Sequence, residues 1–306
     1  MTSNLSRGAL AGVQAAQEAR PVDRPGYVDR GSGTPVVMLH ASLSSKSQWK
    51  GLADRLAPHF RTIAIDLCGY GDNALPAKAS FTLDDELRLV TSHLERLVPA
   101  RARMHLVGHS YGGLVALRLA QSLGNRVASL SLYEPVVFRL LAEDDACLSE
   151  VRRLATRVRQ LCVAERRDRA TELFVDFWSG AGSYASLSAT VRASMARRVE
   201  KVALDFQAAL DWPSRPTDLR ALTAPTLLLA GRRSPPVAQR IRALLASTIP
   251  NCQVRQFDAG HMAPIADASR VNPWIEAFVH LCSTRGPAFA AASSMTPALA
   301  SNSVHC

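Results

Sequence analysis

The amino-acid sequence predicts an α/β fold: a mainly parallel sheet flanked by helices, with an all-helical insertion. Three observations carry that expectation. Short apolar runs of strand length alternate with helical stretches from residue 27 to residue 133, and the alternation resumes at residue 226. Strands that alternate with helices make parallel sheets with right-handed crossovers. Between residues 136 and 222 that rhythm gives way to charged, amphipathic helical pieces with no convincing strand. Finally, glycines bracket a serine in Gly108-His109-Ser110-Tyr111-Gly112-Gly113, between an apolar run and a helical one. That is the setting of a sharp strand-to-helix turn.

Taken in order, residues 1–25 mix Ala, Gln and Ser without an apolar centre, which predicts a flexible N-terminal arm rather than a secretory leader. A short strand at 27–30 is followed by the turn signal Gly31-Ser32-Gly33. Residues 36–40 form a continuous apolar run of the kind buried in a parallel sheet. The loop His40-Ala41-Ser42-Leu43 follows, and a helix begins at Trp49. The next strand, 61–66, leads into Gly69-Tyr70-Gly71-Asp72. Leu87, Val90, Leu94 and Leu97 recur at helical spacing over 83–97. The strand at 104–107 enters the serine turn, the helix at 114–123 is apolar on several sides, and Gly124 is placed to stop it. A strand at 127–133 ends at Glu134-Pro135. Helical pieces are expected at 147–162, 167–178 and 187–210. Then come a strand at 226–230, a helix at 236–245, a strand at 253–257, the loop Asp258-Ala259-Gly260-His261 and a helix at 271–281. The organisation read from this is a core of 26–135 and 223–282, a helical cap of 136–222, and a disordered C-terminal tail of 283–306 rich in Ala, Ser and Thr.

Composition narrows the class. The 306 residues suffice for one large domain with an insertion, and 47% hydrophobic content is ordinary for a globular chain. No run is apolar enough to cross a membrane, so a soluble, cytoplasmic protein without a membrane partner is expected. The net charge of +10 is mostly arginine, with a mild concentration at Arg152, Arg153, Arg157, Arg159, Arg166 and Arg167. Without a nucleic-acid-binding motif this reads as a solvated helix face, and no nucleic-acid partner is expected. The six cysteines show no C-x-x-C spacing, which predicts free thiols in a reducing compartment and no metal site.

The chemistry centres on Ser110. A serine hydroxyl needs a base to take its proton. His261 is the best candidate, because it follows the last strand and so reaches the C-terminal strand ends where open α/β sheets place their sites. His109 adjoins the serine but faces away from it on the strained turn, and His59, His93, His105 and His280 read as structural. A tetrahedral oxyanion needs preorganised donors. These are expected from the backbone N–H groups of Tyr111, after the nucleophile, and Ser42, on the loop after the 36–40 strand. The hydroxyls of Ser42, Ser44, Ser45 and Ser47 crowd that loop.

On these residues the chain resembles an α/β-hydrolase-fold protein with a helical cap. The resemblance is carried by the loop after His40, by Asp66 with Gly69-Tyr70-Gly71, by Gly108–Gly113 and by Gly260-His261, and covers roughly residues 27–282. It implies a serine hydrolase that needs no cofactor, acting on a small-molecule, ester-like substrate. The family nucleophile, base and oxyanion donors carry over to Ser110, His261, Tyr111 and Ser42. Two departures stand out. Ala41 replaces the usual glycine after His40. The loop Gly231-Arg232-Arg233-Ser234-Pro235-Pro236 has serine where the family usually has the triad aspartate. Some members of the fold place the acid after the preceding strand, which here makes Glu134 the expected third member, with Asp258 and Asp66 assigned elsewhere. His40, Phe138 and Trp178 are expected at the substrate pocket, His40 bracing the oxyanion loop; Phe174, Phe177 and Tyr184 are further cap candidates. Ester hydrolysis is the leading expectation, with a lactone or thioester as related substrates. Acyl transfer or carbon–carbon bond hydrolysis on the same machinery is the alternative, and a non-catalytic ligand-binding protein the third. The serine argues against the dehalogenases and epoxide hydrolases of this fold, which use aspartate there.

Overall fold

A computed structural model describes residues 25–76, 80–213 and 215–285. Its sheet has seven strands: β1 (Tyr27–Arg30), β2 (Pro35–Leu39), β3 (Arg61–Ile65), β4 (Met104–His109), β5 (Val127–Tyr133), β6 (Thr226–Gly231) and β7 (Cys252–Phe257). Their order across the sheet is β1-β3-β2-β4-β5-β6-β7. Only the β1–β3 pair is antiparallel among these neighbours. The central strands are buried on both faces, so their sequences are continuous apolar runs rather than alternating ones.

Side chains of successive strand residues point to opposite faces. Val37 and Leu39 of β2 therefore enter one core, while Val36 and Met38 enter the other. The second core is closed by α1 (Lys50–Leu56), through Leu52 and Leu56, and by the C-terminal helix, through Val271, Ile275 and Phe278. The first core is larger. It is covered by α2 (Leu83–Leu97) and α3 (Ser110–Leu123), and it continues without a break into the cap.

The cap follows Glu134 and consists of α4 (Ala146–Val163), α5 (Arg167–Ser179), α6 (Ser183–Ser186), α7 (Ala189–Ala196) and α8 (Val199–Asp211). Leu148, Val151, Val158, Val199 and Phe206 belong to the same apolar cluster as the sheet residues Leu106 and Leu130. The cap thus has its apolar side on the core rather than a core of its own. After it come α9 (Pro216–Arg220), α10 (Pro236–Thr248), α11 (Ala263–Ala266) and α12 (Ala268–Arg285).

Three boundaries differ from the sequence expectation. The helix expected over 187–210 is two pieces, α7 and α8. Ser188 starts α7 by accepting the Val191 N–H at 3.3 Å, and Arg198, at φ −116° and ψ 0°, interrupts the path into α8. The last helix is longer at both ends and carries Pro273 within it; residues 283–285, expected in the tail, are its final turn. The short helix α9 has Pro216 in its first turn, where the missing proline N–H costs nothing. The rest of the expected tail, and all but one residue of the N-terminal arm, lie outside the described residues. Among the described residues no helix is long and apolar enough to cross a membrane, and the five described cysteines are free thiols.

Candidate active site

Ser110 begins α3 directly after β4, at φ +55°. This left-handed conformation is costly for a residue with a Cβ and persists only where its surroundings hold it. The flanking glycines make the turn possible. A Cβ on Gly108 would lie 2.5 Å from the Gly112 carbonyl oxygen and 2.6 Å from Gly113 Cα. A Cβ on Gly112 would run into the backbone of Leu39 and His40. The spacing seen in the sequence is thus a packing requirement where β4, β2 and α3 converge.

His261 sits between β7 and α11, and its backbone is held from two sides. Tyr133 Oη donates to the Gly260 carbonyl at 2.8 Å. His109 Nε2 donates to the His261 carbonyl at 2.9 Å, while His109 Nδ1 accepts from Gln48 Nε2 at 3.2 Å. Burial, and then the neighbouring His261, hold the His109 pKa well below its usual value, so the ring is neutral and suited to one donor and one acceptor role. Trp178 stacks on the His261 ring, centroids 4.3 Å apart and planes 27° apart.

The three polar side chains meet in line. His261 Nε2 lies 3.0 Å from Ser110 Oγ, and His261 Nδ1 lies 2.6 Å from Glu134 Oε2. All three residues are buried. Glu134 leaves the end of β5 at φ +43°, and its second oxygen accepts the Gly231 N–H at 2.7 Å. This carboxylate therefore has a partner on each oxygen. Ser234, in the loop after β6 where the family usually has its acid, is buried, and its hydroxyl has no partner among the described residues. Asp258 is elsewhere: its side chain is 68% exposed and pairs with Arg233 at 3.6 Å. Asp66 is a loop brace, accepting from the Lys46 N–H at 2.6 Å and the Asp72 N–H at 2.9 Å.

Ser42 lies on the loop after β2, where Ala41 donates its N–H to Gln48 Oε1 at 3.1 Å and Leu43 takes φ +58°. Tyr111, as the second residue of α3, has an N–H without an intrahelical acceptor. Ser42, Ser110 and Tyr111 share a narrow cavity with Val136, Phe138, Phe174, Trp178, Val202, Asp205 and Phe206. Its volume open to a water-sized sphere is about 20 Å³, room for about one water. Phe138 and Trp178 are thus in the wall. His40 is not: it is fully buried beneath the loop, with Nε2 accepting the Leu67 N–H at 2.9 Å and Nδ1 donating to the Ala41 carbonyl at 2.7 Å. Burial lowers its pKa, in keeping with a neutral ring that supports the backbone. Phe177 packs edge-on against Trp178, and Tyr184 bonds Asp168 at 3.1 Å within the cap.

One cluster at this site was not anticipated. Lys201 of α8 donates to Glu86 of α2 at 2.8 Å and to Asp205 one turn along its own helix. Asp205 Oδ2 accepts from Ser42 Oγ and from Tyr70 Oη, each at 2.6 Å. The Lys201 ammonium also stands 4.4 to 5.0 Å from the ring centroids of Phe81, Tyr111 and Tyr70. Although burial opposes the charge, the two carboxylates keep Lys201 firmly protonated. Burial, and the proximity of Glu86, push the Asp205 pKa up. The charged pair Lys201 and Asp205 occurs among Val199, Val202, Phe206 and Ala209, and a charge inside so apolar a stretch was the signal available in the sequence. Among the described residues no group of three His, Cys, Asp or Glu side chains is arranged to hold a metal.

The sequence pattern that describes the alpha/beta hydrolase family matches residues 36–274. The chain belongs to the alpha/beta hydrolase family. Among its relatives, the haloalkane dehalogenase of Agrobacterium fabrum is 34% identical over 110 residues, only 36% of this chain and 35% of that one. The 2-hydroxymuconate semialdehyde hydrolase of a Pseudomonas species is 29% identical over 257 residues, covering 79% of this chain and 85% of the relative. A solved thermophilic esterase from Thermogutta terrifontis superposes with a TM-score of 0.65 at 27% identity, over 84% of this chain and 93% of that one. This alpha/beta hydrolase shares its architecture with proteins of several chemistries, so its substrate has to be argued from its own site.

Proposed function

We propose that this member of the family is a serine hydrolase that cleaves a carboxylic ester, or a related lactone or thioester, through an acyl-enzyme. The single observation that carries this reading is the continuous hydrogen-bonded line from Ser110 through His261 to Glu134. Glu134 holds the proton on Nδ1, leaving Nε2 as the base that faces Ser110 Oγ. Ser110 attacks the carbonyl carbon as His261 takes its proton. The N–H groups of Tyr111 and Ser42 receive the developing oxyanion. His261 then returns the proton to the leaving alcohol or thiol. Water, deprotonated by the same imidazole, attacks the acyl-enzyme, and the carboxylic acid leaves with Ser110 restored.

The apolar wall of Val136, Phe138, Phe174, Trp178, Val202 and Phe206 supports a small acyl group. The likeness to the 2-hydroxymuconate semialdehyde hydrolase favours a second reading, carbon–carbon bond hydrolysis with the same nucleophile and base. Both are tested by a panel of short-chain esters, lactones, thioesters and a vinylogous 1,5-diketone acid on the purified full chain. The expected result is turnover of one or more short esters that Ser110→Ala abolishes. Turnover confined to the diketone acid, or ester turnover unchanged in Ser110→Ala, overturns the ester reading.

A further inference from the structure

Ala41, Gln48, His109 and His261 form one hydrogen-bonded bridge beside the serine turn. The Ala41 N–H donates to Gln48 Oε1 at 3.1 Å, Gln48 Nε2 donates to His109 Nδ1 at 3.2 Å, and His109 Nε2 donates to the His261 carbonyl at 2.9 Å. The sense of the bridge is fixed at one end. A backbone N–H can only donate, so it turns the carboxamide oxygen of Gln48 toward Ala41 and leaves the amide nitrogen for His109. His109 Nδ1 is then the acceptor, and the ring proton sits on Nε2, the atom that faces the His261 carbonyl. The His109 ring is fully buried, with the Tyr133 and His261 rings at centroid distances of 5.5 and 5.2 Å. Burial, then His261 and His40, disfavour a second proton on it, which preserves this sense. The bridge spans separate parts of the fold. Ala41 lies on the loop after β2, Gln48 in the 3₁₀ turn Lys46–Trp49, His109 at the end of β4, and His261 on the loop after β7. β4 pairs with β2 and β5, while β7 pairs with β6, so the strand ladders do not join these two loops directly.

We propose that Gln48 and His109 are positioning residues for catalysis: they tie the loop that supplies the Ser42 N–H to the loop that supplies the His261 imidazole, and so hold oxyanion donor and base in register across Ser110. Ala41 is fixed through both of its backbone polar groups, its carbonyl accepting from His40 Nδ1 at 2.7 Å and its N–H spent on Gln48. The next N–H, that of Ser42, is left as this loop's donor to the oxyanion. At the other end, the bond to the His261 carbonyl anchors the backbone that carries the imidazole 3.0 Å from Ser110 Oγ. Neither Gln48 nor His109 touches the reacting atoms in this role; they act through Ala41 and His261. The assignment rests on the serine-hydrolase reading above.

The test measures two reactions of the full chain. One is phosphonylation of Ser110 by a fluorophosphonate, which requires no knowledge of the substrate. The other is turnover of p-nitrophenyl butyrate, with kcat counted per Ser110 that the reagent labels. Gln48→Leu and His109→Leu should each slow both reactions about 10- to 100-fold, the scale of a reacting group displaced by about 1 Å. KM should stay within about threefold, because the apolar wall that binds the acyl group is untouched. The double variant should be no slower than the slower single variant, since either cut opens the same bridge. His109→Gln, whose amide can still donate to the His261 carbonyl and accept from Gln48, should recover most of the rate. A merely structural role would lower the labelled fraction and the melting temperature, not the rate per labelled serine. If His109→Leu fails to fold, Gln48→Leu and His109→Gln decide, and if butyrate is not a substrate, the labelling rates decide. Wild-type rates in Gln48→Leu, losses that multiply in the double variant, or a His109→Gln as slow as His109→Leu overturn the positioning role alone. A folded wild type that cleaves no ester, with Ser110 inert to the reagent, overturns the positioning role and the hydrolase reading together.

Discussion

Two buried polar clusters reach the cavity beside Ser110, one through Ser110 and the other through Asp205, and they are built in opposite ways. The Glu134–His261 pair stands on loops at the ends of β5 and β7, and both Glu134 and Ser110 occupy left-handed backbone positions. Its geometry is a property of the core sheet. The Glu86–Lys201–Asp205 group stands on two helices, one in the core and one in the cap, and its core-to-cap contact joins residues 115 positions apart. Its geometry exists only when the cap is seated. The contrast teaches that the proposed reacting centre is held by strand ends whose backbone is over-determined, whereas the cap is also pinned by side chains that pair across an interface.

The sharpest way to break this contrast is to damage each cluster by one atom type. Glu134→Gln keeps the side-chain volume but removes the charge that fixes the His261 tautomer. It should cost roughly 10³- to 10⁴-fold in kcat on short esters, with little change in thermal stability. Asp258→Asn, exposed and paired with Arg233, should stay within about twofold. Equal losses in the two variants would move the acid away from Glu134.

The cap cluster should respond in stability first. Lys201→Met leaves Glu86 and Asp205 buried without a counter-charge, and urea unfolding should show a loss of about 3–5 kcal/mol. The exposed pair Arg30–Asp54 is the control, and Arg30→Ala should cost under about 1 kcal/mol. If Lys201→Met unfolds no more easily than Arg30→Ala, the cluster is not what fastens the cap.

The smallest effect is read by pH. Burial draws the His105 pKa down to about 4 from its ordinary 6.5, and its ring bridges Ser129 and Ser283 at 2.8 and 2.9 Å. Between pH 6.5 and about 4 the unfolded chain binds a proton that the folded chain refuses, so stability falls as pH drops through that window. His105→Asn should flatten that part of the melting-temperature curve by a few degrees, leaving slope to His40, His93 and His109, whose pKa values burial also lowers. A curve of unchanged steepness would show that His105 titrates freely.

Much of the fold was legible because each central strand is buried on both faces and therefore appears as an unbroken apolar run. The closeness of Ser110 and His261 was legible for a related reason: glycines mark the turn, and chain order brings the last loop to the same edge of the sheet. Glu134 could be considered at all because the loop after β6 offers Ser234 and no carboxylate. The cap cluster was only faintly marked, by a charged pair within an apolar stretch. Glu86 follows Asp84 and Asp85 and looks like part of a solvated face, while Lys201 and Asp205 have the spacing of an ordinary surface pair. The burial of His40 was hidden, since a strand-end histidine can point into a site or beneath a loop with the same local sequence. The break before α8 depends on the conformation of Arg198, which no residue preference announces.

The most direct test of the central claim is to treat the folded full chain with a fluorophosphonate and locate the adduct by intact mass and peptide mapping. The account predicts one adduct on Ser110, absent in Ser110→Ala and formed roughly a thousandfold more slowly in His261→Ala. A cooperatively folded wild type that leaves Ser110 unlabelled, or labels it as fast without His261 as with it, would contradict the account.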